Sequence, residues 1–175
     1  MNISMHLNFN FSMEGCILVD RLINLLKTNA RLSNAELAVM LDKTEAEISA
    51  MIAELEQSGT IKGYSTIFDE DIISKDAVVA YIELKVTPQA QVGYDDIARH
   101  IAQYPEVESV SLMSGGYDLA VTIRCQNIRE VSSYVAQRPA TIDGVVSTST
   151  HFFLQKYKEN GIMLVDEAKD ERNYI

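Results

Sequence analysis

The sequence predicts an α+β protein made of two domains, an N-terminal three-helix (winged) helix-turn-helix and a C-terminal ferredoxin-like βαββαβ domain. Two observations support this prediction. The first half contains three amphipathic segments, two of which begin with capping-box sequences. The second half contains two strand-helix-strand units on either side of a glycine turn.

The composition is that of a folded protein without a membrane-spanning segment. A chain of 175 residues with 47% hydrophobic content suits one ordinary domain or two small ones. No apolar run approaches the roughly 20 residues that a membrane helix needs, so we expect a cytoplasmic protein. Fifteen basic and 25 acidic residues give a net charge of −10, which does not favour phosphate binding by the chain as a whole.

The N-terminal domain is predicted from three helix patterns. Residues 16–27 form the first helix, because its leucines recur at i, i+4, i+7 and i+8, namely Leu18, Leu22, Leu25 and Leu26. Two capping-box pairs begin the second and third helices, Ser33 with Glu36 and Thr44 with Glu47. Gly59 ends the third helix. A short helix and a tight turn before a third helix are typical of a helix-turn-helix.

These patterns divide the chain into ranges. Residues 1–12 are expected to be a peripheral extension, and residues 13–64 the helix-turn-helix domain. Ile61–Phe68 is predicted as a strand, so residues 65–76 are strand and linker. Residues 77–158 form the second domain. In the charged tail, residues 159–175, the apolar run Ile162–Val165 is expected to dock as an added strand or helix.

The C-terminal domain is organised around a predicted hairpin over Val107–Cys125. Both arms alternate apolar with polar residues, and a Ser-Gly-Gly sequence marks the turn between them. A strand and a helix precede the hairpin, and a helix and a strand follow it: Ala77–Val86, Tyr94–Gln103, Ile128–Gln137 and Val145–Leu154. Such a duplicated unit predicts helices on one face of an antiparallel sheet.

Several short motifs occur together in an order that resembles one protein family. A helix-turn-helix that ends in Leu55–Tyr64 is followed by a βαββαβ domain holding Gly116-Tyr117-Asp118 and the run Gly144–Thr150. This combination, over about residues 14–158, resembles the Lrp/AsnC (feast/famine) transcription regulators. The resemblance implies a DNA-binding homodimer formed through the C-terminal domains, often assembled further into octamers. It also implies a response to an amino acid or a similar small effector.

The resemblance places DNA contacts at the third helix. The predicted contact residues are Thr44 and Ser49, through their hydroxyls, and Lys43 and Lys62, through their charge. Family members usually carry arginines in this region, where this chain has Ala50, Met51 and Glu54. Residues 13–64 contain five basic and eight acidic side chains, a net charge of −3. We therefore expect weak binding with a shallow salt dependence, or binding by several dimers acting together. A sensor module that has lost DNA binding is the alternative.

A candidate effector site follows from the turn of the hairpin. Paired glycines allow a ligand to approach the backbone and its amides, and a carboxylate such as Asp118 is a natural partner for an ammonium group. In the family the effector lies between C-terminal domains, lined by this turn and by the last strand. The matching residues here are Ser114, Gly115, Gly116, Tyr117, Asp118, Thr148 and Thr150. Alternation places both threonines on one strand face with Val146 and Phe152. The alternative is an ordinary hairpin turn in which Asp118 only satisfies backbone donors.

No catalytic, metal or cofactor site is predicted. The three histidines are scattered, and the sequence has no phosphate-binding glycine loop and no nucleophile elbow. Cys16 and Cys125 lack metal-ligand spacing and are expected to be buried reduced thiols. One enzymatic alternative remains, because some proteins that resemble this family are sirohaem decarboxylases with the same two-domain plan. Such an enzyme needs a cationic pocket, for which the arginines and histidines show no recognisable pattern.

Overall fold

The computed structural model describes residues 13–68, 73, 77–87 and 93–165. The chain divides into two compact units, Met1–Thr66 and Ile67–Ile175, which are considered one at a time. The extension predicted for residues 1–12 lies outside the described residues, as do most of the linker and the last ten residues of the tail.

The N-terminal unit is built from the predicted helices α1 (Met13–Thr28), α2 (Asn34–Leu41) and α3 (Glu45–Gln57). Their apolar faces meet in a small core, which consists of Leu22, Leu37, Ala38, Leu41, Ile48 and Leu55. Ser33 caps α2 through the predicted reciprocal box with Glu36. Cys16 was expected to be buried and is exposed, because it lies on the side of α1 away from Leu22.

The strand predicted for Ile61–Phe68 is absent from the described residues. This segment has no regular secondary structure, although the Ile61 N–H donates to the Leu55 carbonyl at 2.9 Å. A strand is stabilised by a neighbour that accepts and donates its ladder hydrogen bonds, and the described part of the N-terminal unit offers none.

The C-terminal unit has the predicted βαββαβ order. Its elements are β1 (Val78–Val86), α4 (Tyr94–Ile101), β2 (Val107–Leu112), β3 (Leu119–Cys125), α5 (Ile128–Gln137) and β4 (Val145–Phe152), with a short 3₁₀ turn at Pro139–Thr141. The four strands form an antiparallel sheet in the order β2-β3-β1-β4. This arrangement confirms the ferredoxin-like prediction.

The two faces of the sheet differ in character. One face packs against α4 and α5, with Ile82 and Leu84 of β1 and Val121 and Ile123 of β3 fully buried. The opposite face, named the open face here, carries residues that alternate with these core positions. On β1 and β4 they include Tyr81, Glu83, Lys85, Ser149 and His151, which are half-buried or exposed, and the buried Val79 near the start of β1. The open face is therefore polar where the helix-bearing face is apolar.

The tail forms a separate hairpin. Strands β5 (Lys158–Glu159) and β6 (Ile162–Met163) pair with each other. Asn160 and Gly161 both have positive φ, at 45° and 89°, as expected for the tight turn of an Asn-Gly hairpin. The apolar run at Ile162 therefore pairs with its neighbour in sequence rather than extending the four-stranded sheet. None of the helices in the described residues has the length and apolarity required to cross a membrane.

Candidate DNA-binding and effector sites

Helix α3 presents a neutral to acidic surface. Its buried side is formed by Ile48 and Leu55, so Ala46, Ser49 and Ala50 point outward and are exposed. Four exposed carboxylates flank this strip, at Glu45, Glu47, Glu54 and Glu56. Two of them are engaged locally, since Glu47 closes the cap of α3 and Glu56 accepts a hydrogen bond from the Tyr64 hydroxyl at 2.8 Å.

The hydroxyl of Thr44 holds the start of α3. Its Oγ1 accepts from the Glu47 N–H at 3.3 Å and donates to the Glu47 carboxylate at 2.8 Å, and the same carboxylate accepts from the Thr44 N–H. These bonds hold the pKa of Glu47 below its usual range. The structure thus gives Thr44 the role of a helix cap, in addition to the DNA contact predicted for it.

The predicted lysines differ in their surroundings. Lys43 is exposed in the turn between α2 and α3, where Asp42 adopts a left-handed conformation. Lys62 folds back over the C-terminal end of α3. The Nζ atom of Lys62 lies so close to Gly59 that a Cβ built there would be 2.7 Å from it. A cation at a helix C-terminus is favoured by the helix dipole. Lys62 therefore lies at the C-terminal end of α3, whereas Lys43 lies near the Glu47 carboxylate, whose pKa it helps to lower.

Substitution of Thr44 tests its capping role. Thr44→Ala should destabilise the protein by about 0.5–2 kcal/mol because α3 loses its cap, and Thr44→Ser should restore most of that stability. Ser33→Ala removes the equivalent cap of α2 and serves as the matched control, measured by chemical denaturation. If Thr44→Ala were as stable as the wild type, the capping role would be wrong.

The turn between β2 and β3 is attached to the neighbouring strand β1. The Met113 N–H donates to the Asp118 carbonyl at 2.8 Å, and the Asp118 N–H donates to the Leu84 carbonyl at 2.9 Å. Between them, Ser114, Gly115 and Gly116 are exposed. These bonds fix both ends of the turn and leave its middle accessible.

The two glycines of this turn are not required by the chain's own conformation. Neither has a φ in the left-handed region, and a Cβ built on either would have nothing within 4 Å among the described residues. Gly144 is different, because its φ is +95° and a Cβ there would meet the Thr87 carbonyl at 3.1 Å. Gly115 and Gly116 thus keep a patch of backbone open to molecules outside the chain.

The carboxylate of Asp118 is engaged with β1. Its Oδ2 accepts from the Val86 N–H at 2.8 Å and lies 3.3 Å from Lys85 Nζ, and the side chain is 18% exposed. The hydrogen bond from Val86, followed by that from Lys85, holds the pKa of Asp118 below its usual range. The structural role considered for this residue is therefore present, and an ammonium group would share the carboxylate with Lys85.

Tyr117 reaches the open face. Its hydroxyl lies 2.5 Å from the hydroxyl of Tyr81, and the two rings meet edge to face with centroids 6.3 Å apart. Sequence reasoning missed Tyr81 and Lys85 as neighbours of the turn. The signal was present in β1, where both residues alternate with the apolar positions that pack against the helices.

Thr148 and Thr150 occupy the helix-bearing side of β4. They lie opposite Leu84 and Ile82, and Phe152 shares their side opposite Ala80. Val146, which alternation predicts on the same face, falls at a register shift between Lys85 and Val86, where it is unpaired and 65% exposed. Within the described residues, no hydrogen bond joins either threonine to the turn. The effector residues of the turn and those of β4 are therefore not brought into one pocket by a single chain.

Comparison with known proteins agrees with this architecture. Residues 79–163 match the model of the Lrp/AsnC ligand binding domain, and residues 21–62 match a winged helix-turn-helix DNA-binding model. The HTH-type transcriptional regulator YugG of Bacillus subtilis is 38% identical over 152 residues, which cover 86% of this chain and 92% of that protein. The chain belongs to the Lrp/AsnC family. It is thus a DNA-binding transcription regulator with a ligand-binding domain.

Other Lrp/AsnC proteins agree in sequence and in fold. The HTH-type transcriptional regulator FL11 of Pyrococcus horikoshii is 29% identical over 79% of this chain and 89% of its own length. The structure of Escherichia coli AsnC superposes with a TM-score of 0.63 at 23% identity, covering 83% of this chain and 96% of that one. A Neisseria meningitidis regulator solved as an L-Met complex gives a TM-score of 0.66 at 20% identity. The match covers 81% of this chain and 91% of that one.

The relatives of this Lrp/AsnC protein bear on the alternatives. YugG, FL11 and a Rhodobacter capsulatus relative are named as transcriptional regulators or activators, which gives the sirohaem decarboxylase alternative no support. The structure also offers no cluster of three or more metal-ligating side chains within the described ranges 13–68, 77–87 and 93–165.

Proposed function

We propose that this Lrp/AsnC regulator binds an amino acid at the Ser114–Asp118 turn and that the bound effector changes its affinity for DNA. The observation that supports the proposal is the exposed pair Gly115 and Gly116, whose missing side chains serve no purpose within the chain. Backbone without side chains is useful where a ligand must approach closely and receive amide hydrogen bonds.

The polar groups around this turn match a zwitterion. The Asp118 carboxylate, shared with Lys85, can pair with an ammonium group, while Lys85 and the glycine amides suit a carboxylate. The L-Met complex of the Neisseria meningitidis relative supports an amino acid as the ligand class. Thr148 and Thr150 complete the proposed site from the C-terminal domain of another subunit, because their own chain holds them on the opposite side of its sheet.

The proposed assembly is a homo-oligomer in which C-terminal domains meet. The polar open face of the sheet, with Tyr81, Glu83 and His151, is a surface that a second copy would cover. A dimer is the smallest such assembly, and higher assemblies such as an octamer bring more helix-turn-helix units together. Multivalent attachment compensates for weak contacts by each unit.

In this proposal Lys43, Thr44, Ser49 and Lys62 provide the DNA contacts of each unit, in the cytoplasm. The effector would favour one arrangement of subunits over another and thereby change the spacing between helix-turn-helix units. Because half-sites on DNA lie at fixed helical spacing, such a change alters affinity.

Two measurements test the proposal. A thermal-shift screen with the twenty amino acids should show stabilisation by at least one, because a ligand that binds the native state raises the melting temperature. Electrophoretic mobility shifts on duplex DNA from the protein's own upstream region should then change when that amino acid is added. Absence of any thermal shift would argue against the effector site, and an unaltered mobility shift would argue against its coupling to DNA.

A further inference from the structure

Tyr81 connects the effector turn to the open face. Its backbone lies in the centre of β1, opposite Thr122 of β3 and His151 of β4. Its hydroxyl lies 2.5 Å from that of Tyr117, the third residue after Ser114 in the turn. One side chain thus contacts the turn while its ring stands on the surface proposed to meet a second copy.

The contacts of Tyr81 continue across the open face. The ring of His151 lies 6.3 Å away, centroid to centroid, at a tilted angle. The Nε2 atom of His151 is in turn 3.5 Å from the Glu83 carboxylate and 3.2 Å from the Ser149 hydroxyl. His151 is 55% exposed, so a subunit covering this face would touch it. Tyr117, Tyr81 and His151 form a continuous row from the turn to that surface.

We propose that the Tyr81–Tyr117 hydrogen bond couples the effector turn to subunit association, with Tyr81 as the positioning residue between them. The inference rests on the proposed function above, since it takes the effector at the turn and a second copy at the open face. The proposed coupling has two states. In one, the Tyr117 hydroxyl is bonded to Tyr81, and in the other, occupation of the turn has broken this hydrogen bond. A coupling of this kind requires an element with two discrete states, which a single hydrogen bond between side chains provides.

The other attachments of the turn are less suited to this coupling. Asp118 bonds the backbone N–H of Val86, and its own N–H bonds the Leu84 carbonyl, so both anchor the turn to the sheet without involving an open-face side chain. Lys85 does belong to the open face, but its side chain is 48% exposed, so solvent screens its ion pair with Asp118. The bond to Tyr117 also raises the pKa of Tyr81 to about 12, so this phenol stays protonated at neutral pH and the link persists there.

The test compares Tyr81→Phe, Tyr117→Phe and the double variant in the full-length protein. Each removes one hydroxyl and keeps the ring. Tyr104→Phe is the matched control, because its hydroxyl bonds His100 of α4 at 2.9 Å, away from the open face. The dissociation constant of the assembly is measured by sedimentation velocity without effector, and again with a mixture of the twenty amino acids as the probe.

Without effector, each single variant should raise the dissociation constant about 2- to 10-fold, the usual range for one hydrogen bond. The double variant should be no weaker than the single ones, because all three lose the same bond. Tyr104→Phe should match the wild type. The wild-type response to the amino-acid mixture should be lost in Tyr81→Phe, while the thermal shift given by that mixture persists.

Different failures have different meanings. The coupling would be overturned if Tyr117→Phe had the wild-type dissociation constant. It would also be overturned if the effects of Tyr81→Phe and Tyr117→Phe on the free energy of association were additive. Neither result would contradict the effector site. A wild type that gives no thermal shift with the mixture would refute the effector site, and the effector-free dissociation constants would still decide whether turn and interface are coupled. A wild type that is monomeric at every concentration would overturn the coupling as well.

Discussion

Binding of this protein to duplex DNA should weaken only about 100-fold between 50 and 200 mM salt. The prediction follows from the cations available at the helix-turn-helix. If Lys43 and Lys62 of both subunits contact phosphate, a dimer neutralises about four phosphates, and the slope of log K against log salt is about −3.6. Proteins with six to ten phosphate contacts lose about 10³–10⁵ over the same range.

An arginine placed on α3 should make this dependence steeper. Ala50 is exposed on the outward side of the helix and stands where family members usually carry arginine. Ala50→Arg adds up to two phosphate contacts per dimer, so the slope should approach about −5.4 and affinity at 100 mM salt should rise about 10-fold or more. Ala30→Arg, at an exposed position in the turn after α1, is the control and should change the salt slope and the DNA affinity little.

Fluorescence anisotropy with a labelled duplex, titrated at several KCl concentrations, measures both slopes. A wild-type slope as steep as −6 would mean that cations other than these two lysines contact phosphate. An Ala50→Arg protein with the wild-type slope would show that this side of α3 does not face DNA at all. The acidic flank of the helix is consistent with a shallow slope, since Glu45 and Glu54 would repel phosphate near the groove.

The sequence was most informative where a pattern depends on neighbouring residues. The capping boxes at Ser33 and Thr44 placed the starts of α2 and α3 correctly, because such a box is a local arrangement of four residues. The helix Ile128–Gln137 was placed by its spacing of apolar residues. The glycine turn was also located correctly, because Ser114, Gly115 and Gly116 are adjacent in sequence.

The contacts that decide the chemistry of the turn are not local. Asp118 binds the backbone of Val86, 32 positions earlier, and Tyr117 bonds Tyr81, 36 positions earlier. Both depend on the register between β1 and β3, which a strand pattern alone does not fix. The unpaired position of Val146 has the same origin, since the irregularity opposite Lys85 and Val86 is a property of strand register. Cys16 shows another limit, because spacing cannot reveal how much of a helix its neighbours cover.

The substitution Gly116→Ala should weaken effector binding strongly without harming the fold. A methyl group at this position meets nothing within the described residues and requires no unusual φ, so the protein should be as stable as the wild type or about 0.4–1 kcal/mol more stable. The same methyl would occupy the space through which a ligand reaches the turn amides. We therefore expect at least about a 10-fold loss of amino-acid affinity, equivalent to about 1.4 kcal/mol. Gly63→Ala, where a Cβ is equally unobstructed in the other unit, is the control.

Asp118→Asn extends this test to the charge of the site. An asparagine oxygen can still accept the Val86 N–H, so the turn keeps its anchor and loses only its negative charge. Because the folded-state pKa of Asp118 is lowered, its carboxylate stabilises the fold at neutral pH, and that contribution disappears only as pH falls through the lowered value. In Asp118→Asn, the loss of folding stability at low pH that this carboxylate causes should be absent. Amino-acid binding should also be weaker, as measured by calorimetric titration at pH 7. Full affinity in Asp118→Asn together with normal binding by Gly116→Ala would place the effector elsewhere, since neither the charge nor the open backbone of the turn would then matter.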